Sequence, residues 1–233
     1  MAEYSIESSK QGAARYIVEW LKLNAGMTTE GACGVSGNMY AECGFDPTLD
    51  VIDSNNLHAI GLCQWNGQNG EDLKSYANSR GKQWTDRDTQ LAYLKLTLED
   101  DSKYKALSNL YNLLKTTTDV AEASFQFCRQ YEVCAGYNDR NSSENTKRRG
   151  YSQAIYKGVT TGGWEADGSV STDTSVSGGI SVRQGITPFP GNTRTSWSQP
   201  EEMGIVNFKN FVSSQGKKGV ILGTHLKQIS PKL

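Results

Sequence analysis

The sequence predicts an α+β, mainly α-helical domain over residues 1–158, in which a short β or loop region interrupts the helices. Apolar residues recur at helical spacing through most of this segment, whereas residues 48–68 lack that period and are rich in Asp, Asn and Ser. The composition changes at Gly158, and residues 159–182 are rich in Gly, Ser and Thr with little to bury, which is typical of a linker. Residues 183–233 are too few for a confident independent core, so we expect this tail to dock on another surface.

The first two helices have recognisable boundaries. Ser8 and Gln11 have capping-box spacing ahead of the first helix, and Gly26 is its expected stop. The second helix is expected over residues 29–42, and it carries Gly31, Gly34 and Gly37. Each glycine costs about 1 kcal/mol relative to alanine in a helix interior. Such a helix persists when it packs closely on other backbones, so we expect it to be central and buried.

The helical period returns after the β region. The first expected segment is Glu71–Arg80 and the last is about Glu144–Tyr156. Between them we expect three helices, which carry Leu91, Leu94 and Leu98, then Leu107, Leu110, Leu113 and Leu114, and then Val120, Ala121, Ser124, Phe125 and Cys128. We expect Thr85 and Thr118 to cap two of these helices at their N-termini.

The charge balance excludes some classes of function. Charged residues make up 21% of the chain and the net charge is -1, without the basic face that nucleic-acid binding requires. No apolar run is long enough to span a bilayer, and the N-terminus has no export-signal pattern. The two histidines, His58 and His225, are far apart, so we expect no metal site and no cofactor.

Glu42 is the strongest candidate for chemistry. It lies near the end of the second predicted helix, ahead of a glycine–proline break and the apolar run Gly61–Trp65. Cleavage of a glycosidic bond requires a proton donor and a group that stabilises the resulting sugar cation. Apolar surroundings help such a donor to keep its proton near neutral pH. The apolar residues expected near Glu42 are Tyr40, Phe45, Leu62 and Trp65.

A family resemblance extends this interpretation. Glu42-Cys43-Gly44-Phe45-Asp46-Pro47, followed by Gly61-Leu62-Cys63-Gln64-Trp65, resembles a pattern of lysozyme-like lytic transglycosylases. The chain is more similar still to the phage tail lysozymes than to the lytic transglycosylases. Four further features carry this resemblance: Gly37-Asn38 before the glutamate, Leu73–Tyr76, Gln90–Leu94 and Phe127–Glu132. The resemblance covers about residues 8–157. The departures from the pattern are Cys43 in place of serine, Cys63, and Val133-Cys134 after the late glutamate.

The resemblance implies a lysozyme-like fold with Glu42 as the general acid. Lysozyme-like hydrolases often carry a second acid on the hairpin after this helix, and Asp53 is the first choice, with Asp50 as the alternative. Both are also ordinary turn residues, since aspartate bonds its own backbone in turns. A lytic transglycosylase needs only the glutamate, because a hydroxyl of the sugar closes the ring.

The remaining site residues are also assigned through the resemblance. We expect Gln64 to hydrogen-bond the saccharide or the backbone of the cleft, and Trp65 either to stack on a sugar or to lie in the core. Phe45 and Tyr40 are expected to contact substrate. Glu132 is expected to brace the helix that bears Glu42, without a catalytic role.

Other polar residues are expected to have ordinary structural roles. Residues 147–149, Lys-Arg-Arg, are expected to form a solvated helix face, and His58 has no catalytic-triad or metal-site partner at readable spacing. The five cysteines are expected to be free thiols. The one bridge considered is Cys43–Cys63, because a lysozyme-like fold brings those two segments together.

The implied activity is hydrolysis of the β-1,4 bond between N-acetylmuramic acid and N-acetylglucosamine in bacterial peptidoglycan. The implied setting is a phage virion, whose tail delivers the domain to the cell wall and whose other proteins bind residues 183–233. Two alternatives stay open, namely a lytic transglycosylase and a module for wall binding or tail assembly without turnover.

Overall fold

A computed structural model of the protein describes residues 4–52, 56–99, 105–161 and 163–172, without the side chains of residues 105 and 106. The described part contains seven α-helices: α1 (Gln11–Ala25), α2 (Thr29–Cys43), α3 (Gly67–Ser79), α4 (Arg87–Glu99), α5 (Lys105–Thr116), α6 (Val120–Phe127) and α7 (Ser143–Thr161). Three short strands lie between α2 and α3: β1 (Asp50–Ile52), β2 (His58–Ile60) and β3 (Trp65–Asn66). The predicted fold class, mainly α-helical with a small β region after the Glu42 helix, is confirmed.

Several predicted helix ends are confirmed, but the predicted caps are wrong. Gly26 follows α1 with φ 65°, as expected of a left-handed stop. A 3₁₀ turn precedes α1 and begins without a side-chain cap, so the capping box does not form. Asp86 and Asp119, each one residue after a predicted threonine, accept from backbone N–H groups at the starts of α4 and α6. Their carboxylates reach the unpaired amides of the first helical turn.

Helix α2 is the centre of the domain and packs against α1, α5, α6 and α7. Its glycines permit this packing. A Cβ on Gly34 would lie 2.5 Å from the Cβ of Ala123 in α6, and one on Gly37 would lie 2.5 Å from the backbone nitrogen of Ser152 in α7. The prediction of a central buried helix is therefore confirmed. The same packing holds the C-terminal end of α2, which carries Glu42, in place against the neighbouring helices.

The three strands form one antiparallel sheet in the order β1-β2-β3. Val51 pairs with Ala59, and Ile60 pairs with Trp65. Ile60 is fully buried, whereas Ile52 is exposed. The sheet thus anchors the chain between α2 and α3 to the core through β2 and β3, while β1 projects outward.

The segment 163–172 packs against the helical domain. Trp164 contacts the apolar core, and the backbone N–H of Asp167 donates to the carbonyl of Gly12 in α1 at 3.1 Å. The side-chain amide of Asn24 donates to the carbonyl of Ser171 at 3.1 Å. The division into domain, linker and tail stays a prediction, and the tail lies outside the described residues. No helix in the described ranges has the length and apolar character to cross a bilayer.

Candidate active site

Glu42 lies in the last turn of α2, directly before Cys43, and Gly44 ends the helix with φ 58°. Its side chain is 21% exposed, so the carboxylate lies at the surface of the core. The C-terminal end of a helix carries a partial negative charge, which is an unfavourable place for a carboxylate without a cation. The packing of α2 supplies that cation from α7.

Arg148 is the cation, and the prediction that it belongs to a solvated helix face is wrong. Its side chain is 6% exposed, and its Nη2 lies 2.5 Å from Oε1 of Glu42. Nη1 donates to Oδ1 of Asn38 at 3.3 Å, and Glu144 lies 3.7 Å from Nη2. Ser152, one turn further along α7, also faces α2 and donates to the carbonyl of Gly34 at 3.3 Å. This face of α7 therefore points inward, and Arg148 fixes the position of the Glu42 carboxylate.

Glu132 is a second carboxyl group at the site. It ends a π-helical turn, Cys128–Glu132, that directly follows α6. Its Oε1 is buried and has no hydrogen-bond partner among the described residues. Burial and the nearby Glu42 carboxylate raise the pKa of Glu132 well above its usual range, and Arg148 and the Cys63 thiol offset part of this effect. Burial and the neighbouring carboxylate therefore both favour the protonated form of Glu132.

Two cysteines line the interior of this site. The thiol of Cys43 lies 3.3 Å from the carbonyl oxygen of Met39 and 3.5 Å from that of Leu62. Leu62 directly precedes Cys63 in the chain. Both thiols are free, so the bridge considered between Cys43 and Cys63 is wrong, although the fold does bring the two segments together. Burial raises the pKa of Cys43 to about 12 and that of Cys63 well above its usual range, so both stay protonated.

The structure instead contains a disulfide between Cys128 and Cys134. It corrects the prediction that all five cysteines are free. The bridge closes a six-residue separation that includes Glu132, so it ties together the two ends of the turn that carries this carboxyl group. Cys128 and Cys134 lack the C-x-x-C spacing that would mark them as a pair.

Three residues near the site have a left-handed backbone: Phe45 with φ 63°, Gln64 with φ 45° and Val133 with φ 50°. Gln64 and Val133 directly follow Cys63 and Glu132, and Phe45 lies three residues after Glu42. Left-handed φ is uncommon outside glycine and asparagine, and a β-branched residue there is a genuine outlier. Such strain is retained where the surrounding structure over-determines it, and it is concentrated at functional sites.

The predicted substrate-binding side chains divide into two groups. Gln64 is half-buried, and its Nε2 donates to the carbonyl of Gly61 at 2.8 Å, while Tyr40 is half-buried and packs on Phe45 with ring centroids 5.2 Å apart. Trp65 and Phe45 are buried. The indole of Trp65 donates to the hydroxyl of Tyr131 at 2.9 Å, and its ring belongs to the apolar core. The role of all four residues in binding stays a prediction.

The second predicted acid, Asp53, lies outside the described residues. Its alternative, Asp50, lies on β1 and is paired across the sheet with His58, whose Nδ1 is 2.6 Å from Oδ1 of Asp50. His58 thus pairs with a carboxylate of its own sheet. The contacts of Asp50 that the structure gives are with His58 and within the sheet, and none is with Glu42.

The sequence missed Arg148 and underestimated Glu132. Arg148 stands between Lys147 and Arg149, and the only local signal for its face is Ser152 at helical spacing. That Glu132 braces the Glu42 helix stays a prediction, and the rise in its pKa depends on burial that the local sequence does not reveal. Together the site holds a surface carboxylate on a cation and a buried carboxylic acid, which is a combination suited to proton transfer.

The comparison with known families agrees with this geometry. Residues 12–158, which are more than half of the chain and include every helix from α2 to α6, match a family model described as phage tail lysozyme. The match contains Glu42, Glu132 and Arg148. The chain therefore belongs to the phage tail lysozyme family.

Proposed function

We propose that the domain is a muramidase that hydrolyses the β-1,4 bond between N-acetylmuramic acid and N-acetylglucosamine in bacterial peptidoglycan. The observation that carries the proposal is the carboxylate of Glu42, positioned by Arg148 at 2.5 Å at the end of the central helix of a phage tail lysozyme domain. In this proposal Glu42 gives a proton to the glycosidic oxygen as the bond breaks.

Asp53 is proposed as the group that stabilises the sugar cation or activates water. Gln64 and Tyr40 are proposed to contact substrate directly, and Trp65 and Phe45 to shape the cleft from beneath. The proposed location is a phage tail, with residues 183–233 binding other tail proteins. No metal or cofactor has a role in this chemistry.

The test is digestion of purified peptidoglycan by the wild-type chain and by Glu42→Gln, with the products analysed by mass spectrometry. Loss of a general acid lowers the rate by roughly 10²–10⁴-fold, so we expect Glu42→Gln to release almost no new reducing ends. Glu71→Gln is the matched control, because Glu71 is exposed on α3 and pairs only with Lys74 among its described ion-pair contacts.

The products distinguish the alternatives. Reducing N-acetylmuramic acid ends indicate hydrolysis, whereas anhydromuropeptides indicate a lytic transglycosylase. Release of free peptides indicates an amidase or peptidase. Equal release of sugars by the wild type and Glu42→Gln contradicts the proposal, and binding without any release by the wild type indicates a module without turnover. Asp53→Asn and Asp50→Asn, compared in the same assay, decide which aspartate contributes.

A further inference from the structure

Gln90 is a buried amide on α4 that makes hydrogen bonds to three separate segments of the chain. Its side chain is fully buried. Its Oε1 accepts from the N–H of Leu62 at 2.8 Å, and its Nε2 donates to the carbonyls of Pro47 and Trp84, each at 2.7 Å. Both amide protons and the amide oxygen are therefore used, and a reversed amide would place like groups together at all three contacts. Gln90 thus fixes the three segments in one arrangement.

Two of these segments border the candidate site. Pro47 lies in the loop that follows α2 and Glu42, and Leu62 lies in the Gly61–Gln64 turn. The thiol of Cys43, the residue after Glu42, lies 3.5 Å from the carbonyl oxygen of Leu62. The turn therefore contacts the end of the helix that bears the proposed general acid, and Gln90 holds both the turn and the loop to α4.

The Gly61–Gln64 turn has a backbone that needs outside support. Gly61 has φ 69° and Gln64 has φ 45°, and both the backbone N–H and Nε2 of Gln64 donate to the carbonyl of Gly61, at 3.1 and 2.8 Å. The N–H of Gly61 donates in turn to the carbonyl of Leu49 at 2.8 Å. A left-handed glutamine is retained where the surrounding structure over-determines it. The position of the Gln64 amide therefore depends on how Gly61 and Leu62 are held.

The missing side chain of Gly61 allows Gln90 to lie directly against the turn. A Cβ on Gly61 would lie 2.5 Å from Oε1 of Gln90 and 2.7 Å from its Cδ and Nε2. This contact leaves the turn no room to move toward α4, and the hydrogen bond from Leu62 prevents it from moving away. Gln90 thus limits the movement of the turn in both directions.

We propose that Gln90 is a positioning residue of the proposed hydrolysis, which acts by holding the Gly61–Gln64 turn, and with it the Gln64 amide, against the end of α2. The inference rests on the proposed function and extends it to a residue of the core that touches no substrate. A misplacement of about 1 Å that originates far from the chemistry can lower a rate by about 10²-fold. A residue that prevents such a movement therefore affects catalysis beyond its effect on stability.

The first experiment measures the hold on the turn without any assay of activity. Amide hydrogen exchange of Leu62 is followed by NMR in the wild type, Gln90→Met and Gln90→Glu. Methionine removes all three hydrogen bonds, whereas glutamate keeps an oxygen that accepts from the Leu62 N–H. We expect the Leu62 amide to exchange about 10-fold faster in Gln90→Met and close to the wild-type rate in Gln90→Glu. Equal exchange in the wild type and Gln90→Met overturns the proposal.

Tyr111→Phe is the matched control for the loss of a buried hydrogen bond. The hydroxyl of Tyr111 donates to the carbonyl of Ala25 at 2.7 Å and lies 3.3 Å from a carboxylate oxygen of Glu99, at the last residues of α1 and α4. Its removal leaves a buried carbonyl without that donor, as in Gln90→Met, but does not touch the Gly61–Gln64 turn. Urea unfolding of every variant sets conditions under which all are folded in the activity assay.

The second experiment compares kcat/KM for the release of reducing ends from soluble peptidoglycan oligomers. We expect a loss of about 10²-fold in Gln90→Met, wild-type activity in Tyr111→Phe, and recovery of most of the loss in Gln90→Glu. A purely structural role lowers activity only as far as stability falls, so it predicts similar values for folded Gln90→Met and Tyr111→Phe. That result overturns the proposal.

The outcomes separate this inference from the proposed function. A wild type that releases no sugars overturns the proposed function, and the inference falls with it. An active wild type together with a fully active Gln90→Met overturns the inference alone. If Gln90→Met does not fold, Gln90→Glu decides. A Gln90→Glu variant whose Leu62 amide is protected but whose activity is about 10²-fold lower overturns the inference, because the turn is then held without benefit to the rate.

Discussion

Replacement of Arg148 by methionine tests the ion pair on which the site is built. Removal of one partner from a buried ion pair costs about 3–5 kcal/mol, because it leaves an uncompensated charge. Glu42 is 21% exposed and Arg148 is 6% exposed, so solvent relieves part of this cost and we take about 3 kcal/mol from the lower end of the range. Asn38 also loses a hydrogen bond at a buried acceptor, which costs roughly 1 kcal/mol more.

The expected result for Arg148→Met is therefore a loss of about 4 kcal/mol in the free energy of unfolding. With a denaturant slope of about 2 kcal/mol per molar urea, the unfolding midpoint falls by about 2 M. The assay is equilibrium unfolding in urea followed by tryptophan fluorescence. Arg149→Met is the matched control, because Arg149 lies next in sequence and its described contact is one hydrogen bond to the carbonyl of Asn145 at 3.3 Å.

The double variant Arg148→Met/Glu42→Gln identifies the cause of the loss. If the cost comes from the carboxylate left without its cation, removal of that charge restores most of the stability, so the two changes are not additive. The reasoning is refuted if Arg148→Met costs no more than Arg149→Met. It is also refuted if Glu42→Gln restores nothing.

Three further predictions concern packing, the disulfide and pH. Gly37→Ala places a Cβ 2.5 Å from a backbone nitrogen of α7, so we expect a loss of about 3 kcal/mol in urea unfolding, and a loss below 1 kcal/mol contradicts the packing. Reduction of the Cys128–Cys134 bridge, or replacement of both cysteines by serine, should lower the free energy of unfolding by about 2 kcal/mol, because the unfolded chain gains loop entropy. The control is dithiothreitol added to the serine variant, which should leave its stability unchanged. The pKa of Glu132 is higher in the folded protein than in the unfolded chain. Its contribution to the free energy of unfolding is therefore complete below about pH 4.5 and is lost as the pH rises toward the pKa of the folded state, by at most about 1.4 kcal/mol per pH unit. Glu132→Gln should flatten this decline, and an identical pH dependence in the two proteins contradicts the assignment.

The helical part of the fold was predictable because its signals are local. The helical pattern of the sequence predicted segments that overlap all seven described helices, and Gly26 marked the end of α1. The N-caps were missed by one residue, since threonine and aspartate are both good caps and adjacent candidates compete for the same amides. The three glycines of α2 indicated close packing correctly, although the sequence did not say which helices approach them.

The site was predictable only in part, for a physical reason. Glu42 was identified by its residue type and the motif around it. Arg148 was missed because a single inward-facing cation in a basic run differs from its neighbours only in orientation, which depends on the packing of α7. The Cys128–Cys134 bridge was missed because a six-residue separation closes only when the backbone forms a tight turn there.

Local sequence determined the helices, the break after Glu42, the short β region and the family, because each depends on residues close together in the chain. Tertiary structure decided the electrostatics of the site. Glu42 and Arg148 are separated by 106 residues, and the charges of both act on the pKa of Glu132 in a third element. The protonation state of a carboxyl group depends on burial and on charges within a few ångströms, and packing alone brings such distant residues to those distances.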